Sequence, residues 1–257
     1  MIDFKKKIAF VSSDEIEAKK SMQILKKKYQ NVIPEKADLI IALGGDGTIL
    51  ETLHKFLKRK IPIYGMNRGH VGFLMNQYSE VELLKRLNIA IPTKLFPLKI
   101  KSFNKKGEVN ESLAFNDVSF IRNSRQIAKI SIEINGVKKI DELLCDGCLI
   151  STPAGSSAYN LSLRGPVIPL GAKLLALTPI SPYRPRTWRG ALLPNTVKIT
   201  LTALDEIKRP VRAEADFFEV KNINKIEVEL DKNQYIELLF DQGHDLEERI
   251  INEQFIY

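Results

Sequence analysis

The sequence predicts an α/β domain built on a parallel sheet, followed by a β-rich domain that is antiparallel and sandwich-like. Over residues 1–95, short continuous apolar runs alternate with helical patterns, as they do when helices cover both faces of a parallel sheet. After roughly Pro92 the pattern changes to period-two runs separated by turn residues, which fits antiparallel strands with one face on a core. The expected division is 1–95 and 96–241, with the tail at 242–257 packing back on the first domain.

Ile8-Ala9-Phe10-Val11 supplies the first strand. Ser12, with Glu15 three residues later, has the spacing of a capping box and predicts a helix near 13–30 with Ile16, Met22, Leu25 and Tyr29 on its apolar side. Leu39-Ile40-Ile41-Ala42-Leu43 is a strand that stops at Gly44-Gly45-Asp46-Gly47, and a helix runs on from Thr48 through Ile49, Leu50, Leu53 and Leu57. Ile61-Pro62-Ile63-Tyr64 is a third strand ending at Gly65, and Ser79 with Glu82 predicts a further helix through Leu84 and Leu87. In the second domain, strands are expected at 99–103, at 129–134 before the turn Asn135-Gly136, and at 197–201. One helix is expected at about 156–164, and the tail from Asp245 to Tyr257 also has a helical pattern.

A chain of 257 residues, 44% hydrophobic and 27% charged, buries a core of its own without disulfides or structural metal. Its net charge of +8 attracts anions, among which nucleotides, polyphosphate, nucleic acid and acidic membrane faces are the candidates. The clusters Lys5-Lys6-Lys7, Lys19-Lys20 and Lys26-Lys27-Lys28 read as solvated helix faces, and no basic stripe interleaved with aromatics argues for nucleic acid. The apolar run Ile8–Val11 is far too short for a signal peptide or a membrane span, so a soluble cytoplasmic protein is expected. Cys145 and Cys148 have C-x-x-C spacing, but there is no second pair, His54, His70 and His244 are scattered, and Leu143–Ile150 looks like a buried strand. A zinc or redox site is therefore not expected.

The sharpest chemical signal is Gly44-Gly45-Asp46-Gly47-Thr48. Its glycines let the backbone turn tightly and offer N–H groups to a phosphate where a strand meets a helix. A carboxylate beside phosphate has a use there either in taking a proton from an attacking hydroxyl or in holding Mg²⁺; a plain turn former is the alternative. No Gly-Lys-Ser/Thr follows, the third glycine of G-x-G-x-x-G is missing, and G-x-S-x-G is absent. Walker, Rossmann and nucleophile-elbow chemistry are thereby excluded. Three more blocks follow: Asn67-Arg68-Gly69-His70-Val71-Gly72-Phe73-Leu74, then Phe115-Asn116-Asp117-Val118, and then the stretch from Asp146-Gly147-Cys148 through Ser151-Thr152-Pro153-Ala154-Gly155-Ser156-Ser157-Ala158-Tyr159 to Asn160.

In these blocks the sequence resembles the NAD kinase family, a branch of the GGDG-type kinases that also include lipid kinases and phosphofructokinases. The resemblance spans about residues 40–220. It implies transfer of a phosphoryl group from ATP, or polyphosphate, to the 2′-hydroxyl of the adenosine ribose of NAD. Asp46 would be the general base and Mg²⁺ would accompany the donor, with no direct protein ligand for the metal assigned. The family pattern implies that Gly44, Gly45, Gly47 and Thr48 form the phosphate loop. NAD would lie between the two domains against Gly45, Asp46, Gly47, Phe73, Leu74, Asn116, Asp117, Asp146, Ser157, Ala158, Tyr159 and Ser162. Asp117 stands where the family usually has Glu, Ser157 where it has Thr, and Phe217 after Asp216 where many members have Gly. Thr178-Pro179 resembles a segment near the substrate and a subunit interface, while Arg186 and Trp188 are expected to be structural. Self-association as a homotetramer or homodimer is implied by the family, and nucleic acid and membrane are not expected partners. A non-catalytic dinucleotide sensor and a lipid kinase of the same superfamily are the alternatives.

Overall fold

The computed structural model describes residues 6–69 and 72–243, which separate into two compact units: residues 6–95 with 233–243, and residues 96–232. In the first unit, β1 (Ile8–Ser12), β2 (Leu39–Gly44) and β3 (Ile63–Asn67) pair in parallel. All of β2 is buried, so it needs no polar alternation and reads as one apolar run. Helices α1 (Ile16–Lys28) and α2 (Asp46–Phe56) follow β1 and β2, and Leu25 of α1 packs in a core with Phe10, Leu39, Ile41 and Tyr64.

Neither of the two helix starts expected at a serine forms a side-chain cap. Ser12 is the last residue of β1, opposite Leu43, and α1 starts after Glu15 with no side-chain cap. Its buried stripe is Ala18, Ser21 and Leu25, and Ile16 lies exposed. Strand pairing wins over helix capping there because it extends the sheet. Ser79 Oγ instead accepts a hydrogen bond from the Val81 N–H at 3.1 Å, a local turn that competes with helix. Glu82 then takes φ 52°, and α3 (Leu83–Ile89) buries Leu83 and Leu87, with Leu84 only half-buried.

After β4 (Ile91–Leu95) the second unit begins with β5 (Leu98–Phe103), β6 (Val109–Ala114), β7 (Asp117–Arg122), β8 (Ala128–Ile134), β9 (Val137–Cys145) and β10 (Gly147–Ser151). It continues with β11 (Leu174–Ile180), β12 (Ala191–Pro194), β13 (Ile199–Ala203), β14 (Val211–Ala215), β15 (Phe218–Ile223) and β16 (Lys225–Leu230). They form two antiparallel six-stranded sheets, in the orders β12-β11-β10-β7-β14-β15 and β6-β5-β16-β13-β8-β9. Val118, Phe120, Cys148, Ile150 and Leu177 of one sheet share a core with Ile100, Ile130, Ile132, Leu201 and Val228 of the other. β8 turns into β9 through Asn135 (φ 51°) and Gly136 (φ 76°), the two left-handed positions that make Asn-Gly a tight hairpin. Cys145 and Cys148 are free, buried core thiols. A hydrogen bond between them, together with burial, pushes the Cys148 thiol well above its ordinary range. The single helix expected at about 156–164 is broken into a 3₁₀ turn, Ala154–Ser157, and a short α4 (Tyr159–Ser162).

The chain then returns to the first unit as β17 (Ile236–Phe240), parallel to β3 and antiparallel to β4. That sheet is therefore mixed, in the order β1-β2-β3-β17-β4, with Pro92 on its edge strand where a missing N–H is tolerated. The return comes at Ile236, earlier than the 242 expected from the sequence. Asn76 holds the strand by donating to Gly65 O and Leu239 O, and Asp241 just beyond it accepts from the Tyr64 hydroxyl at 2.6 Å. The helix expected at 245–257 lies outside the described residues.

Candidate functional site

In the first unit the site is the junction of β2 and α2. Gly45 is extended (φ −111°, ψ −171°), Asp46 opens α2, and no side chain caps the helix. A Cβ on Gly44 would lie 2.2 Å from Thr48 Oγ1, so that glycine serves packing. A Cβ on Gly45 or Gly47 would meet nothing within 4 Å among the described residues. Their lack of a side chain has no internal steric cause, and it leaves backbone open to a close-lying ligand.

The Asp46 carboxylate is fixed from both oxygens: Oδ2 accepts from the Phe73 N–H at 2.8 Å and Oδ1 from the Leu74 N–H at 3.0 Å. A Cβ on Gly72 would stand 2.5 Å from Asp46 Oδ1, so this glycine is what lets the loop approach. Arg68 N donates to Gly44 O at 2.8 Å, and a Cβ on Gly69 would touch the Gly45 backbone at 3.5 Å. Two blocks separated in sequence thus form one structure, in which Phe73 and Leu74 act on Asp46 through their backbone. His70 and Val71 of the second block lie outside the described residues. Beside the loop opens a cleft of about 640 Å³, lined by Asn67, Arg68, Gly69, Gly72, Asn76 and Tyr78 among others.

In the second unit the predicted residues gather at one end of a sheet. β7 begins at Asp117 opposite Ser151, the last residue of β10, and β14 ends at Ala215 opposite Val118. Asp216, at φ 51° in the turn between β14 and β15, accepts from the N–H groups of Phe115 (2.7 Å), Asn116 (3.0 Å) and Asp117 (3.3 Å). Asp216 itself takes the left-handed position, so the turn forms with Phe217 in place of glycine. Asn116 Oδ1 is buried with no hydrogen-bond partner among the described residues, which marks it as an acceptor in need of a donor. Burial first, then the charges of Asp216 and Glu214, push the Asp117 carboxyl up to about 7.

The loop after β10 is organised by residues outside the predicted site set. Thr152 Oγ1 donates to Phe115 O at 2.7 Å, and a Cβ on Gly155 would stand 2.2 Å from Asn116 O. Asn160 is fully buried, donates to Ser156 O and Pro166 O, and accepts from Thr178 Oγ1 at 2.6 Å. Thr178 is therefore spent on the loop, and Trp188 packs against the sandwich core. Ser157 is buried, while Tyr159 and Ser162 are exposed at the rim. The Tyr159 hydroxyl is raised by burial and then, in decreasing order, by the charges of Glu214, Asp117 and Asp146. Asp146 lies farther along the chain: it precedes β10, about 16 Å along the strand direction from Ser151, and its Oδ1 accepts from Arg122 Nε at 2.6 Å. Asn160, Glu214 and Arg122 went unassigned in the sequence. Asn160 closes the stretch from Asp146, but nothing local in the sequence distinguishes a buried hub from a helix position. Among the described residues no three His, Cys, Asp or Glu side chains converge on a metal position.

The site is thus an aspartate at the head of a helix that follows a buried parallel strand, clamped by the backbone of a Gly-rich loop, in a chain whose second unit is an antiparallel sandwich. The model of the ATP-NAD kinase N-terminal domain matches residues 3–87, and that of the ATP-NAD kinase C-terminal domain matches residues 115–214. The NAD kinase of Caulobacter vibrioides is 48% identical over 98% of this chain and 97% of its own, and that of Xylella fastidiosa (strain Temecula1) is 48% identical over 98% and 96%. The chain belongs to the NAD kinase family. Among solved structures, an NAD kinase from Archaeoglobus fulgidus in complex with ATP matches with a TM-score of 0.77 at 25% identity, covering 98% of this chain and 100% of that one. Yeast NADH kinase complexed with NADH matches with a TM-score of 0.81 over 97% of this chain and 87% of that one; at 20% identity this is a likeness of fold.

Proposed function

We propose that this chain transfers the terminal phosphoryl group of ATP to the 2′-hydroxyl of the adenosine ribose of NAD, giving NADP and ADP. The carrying observation is the Asp46 carboxylate, fixed by the Phe73 and Leu74 N–H groups beside the sterically open backbone of Gly45 and Gly47. Phosphoryl transfer asks a protein mainly for positioning and charge neutralisation, and a carboxylate already oriented loses little freedom when a hydroxyl arrives. Asp46 takes the hydroxyl proton as the bond to phosphorus forms, an effect typically of about 10²- to 10⁴-fold. The backbone at Gly44, Gly45, Gly47 and Thr48 receives phosphate. In the second unit, Asn116, Asp117, Ser157, Ala158, Tyr159 and Ser162 recognise the dinucleotide, with Asp146 acting at longer range through its charge. The orphan Asn116 Oδ1 supports that assignment, since a nucleoside N–H would satisfy it.

A divalent cation would accompany the donor's phosphates, as Mg²⁺ does where substrate phosphates and one or two carboxylates hold it. When bound, Mg²⁺ supplies neutralisation of phosphate charge. We place the protein in the cytoplasm, where two buried unbridged thiols are at home. We also assign it a homotetrameric or homodimeric state through the second unit. An apolar cleft of about 430 Å³ around Ile134, Ile140, Pro185, Trp188 and Leu193, together with exposed Val137 and Leu192, supports self-association, which sedimentation equilibrium would measure.

The test is incubation with NAD, Mg²⁺ and either ATP or polyphosphate, following NADP with an NADP-specific dehydrogenase. NADP formation with ATP is expected, and the polyphosphate reaction decides donor range. NAD binding without NADP under any donor would make the protein a dinucleotide sensor instead.

A further inference from the structure

Arg68 is a cation whose side chain is already held in place. Its Nε donates to the hydroxyl of Ser21, a buried residue of α1, at 2.7 Å, and its guanidinium carbon lies 3.4 Å from the centroid of the Tyr78 ring. Its own N–H is tied to Gly44 O, so the backbone beneath it is part of the Asp46 loop. The two terminal guanidinium nitrogens have no protein partner among the described residues, and no carboxylate pairs with them. Glu17, on the same cleft, is engaged with Lys20 at 3.2 Å. A guanidinium fixed through Nε and one face keeps its planar pair of N–H donors for an oxyanion, and most of its ordering cost is met before any ligand arrives. The cleft of about 640 Å³ that it lines has room for more than a single ion.

We propose that Arg68 binds a phosphate chain in this cleft, beside the Gly44–Asp46 loop. The proposal rests on the kinase reading above, whose reactants bring two such chains: the triphosphate of the donor and the pyrophosphate of the dinucleotide. Both present the same chemistry, paired non-bridging oxygens matched to the terminal nitrogens of arginine, and Arg68 acts by positioning that chain relative to Asp46.

Arg68→Met and Arg68→Lys in the full chain test it, by kcat, by KM for ATP and for NAD measured separately, and by calorimetric titration with inorganic tripolyphosphate and pyrophosphate. Arg68→Met is expected to raise one KM by about tenfold or more and to weaken the matching inorganic ligand by a similar factor, with Arg68→Lys between it and wild type. A rise in KM for ATP assigns the donor, and a rise in KM for NAD assigns the dinucleotide. Unchanged KM values and unchanged inorganic-phosphate titrations, with only a lowered Tm, would overturn the proposal and leave Arg68 a structural tie. A wild-type protein that makes no NADP but binds tripolyphosphate through Arg68 would sink the kinase reading while leaving the phosphate site standing.

Discussion

Two aspartates, one in each unit, are built the same way and differ in what surrounds them. Asp46 accepts two backbone N–H groups from the 72–74 loop, and Asp216 accepts three from residues 115–117. Asp216 sits at φ 51° in a hairpin turn, and its bonds secure the start of β7. Asp46 follows an extended glycine whose Cβ position is open, at the head of a helix with no side-chain cap. A carboxylate clamp by itself marks a folding device. Open backbone beside it is what sets Asp46 apart, and on it rests the proposed role of Asp46 in chemistry.

The contrast can be broken at the glycines first. Gly155→Ala should be the most damaging to folding, costing about 3 kcal/mol, because its Cβ would stand 2.2 Å from a backbone oxygen that has nowhere to go. Chemical denaturation would show it. Asp216→Ala should cost about 2–3 kcal/mol in the same assay, since three N–H groups lose an acceptor and alanine is disfavoured at positive φ. Gly45→Ala is the sharpening case. Stability should change by less than about 1 kcal/mol, because the backbone there suits any residue and the Cβ meets nothing although alanine caps a helix less well than glycine, while KM for a phosphate-bearing substrate rises several-fold. An unchanged KM would mean that the open backbone receives no ligand.

The smallest effect concerns Asp117. Its folded-state pKa is raised from 3.8 to about 7, so the folded chain holds this proton more tightly than the unfolded one. The associated stability is full below its ordinary value and is lost as pH rises through about 7. Asp117→Asn removes that loss. The Tm advantage of the variant over wild type should grow between about pH 4 and pH 7 and level off above. A constant difference across that range would place the proton elsewhere.

What the sequence made legible was local. The run Leu39–Leu43, the Asn135-Gly136 hairpin and the Gly44–Thr48 loop each carry their structure in neighbouring residues, and each appears in the fold. Ser12 and Ser79 were misleading because a serine serves a strand end or a small turn as well as a helix cap, and only the partners decide. Partnerships over distance were invisible. Ile236–Phe240 joins a sheet whose other parallel strands end near residue 67, and Asp216 acts on a segment about a hundred residues earlier. Asn160 and Thr178 meet across a loop that no periodicity describes. The site residues found from the family pattern include some that work through backbone, such as Phe73 and Leu74, a distinction side-chain identity does not carry.

The most direct test of the central claim is NADP formation by Asp46→Asn, at folded concentrations matched to wild type by Tm and far-UV circular dichroism. A fall in kcat of about 10²- to 10⁴-fold, with the fold retained, is the predicted result. Turnover close to wild type would contradict the account and make Asp46 a second structural clamp like Asp216.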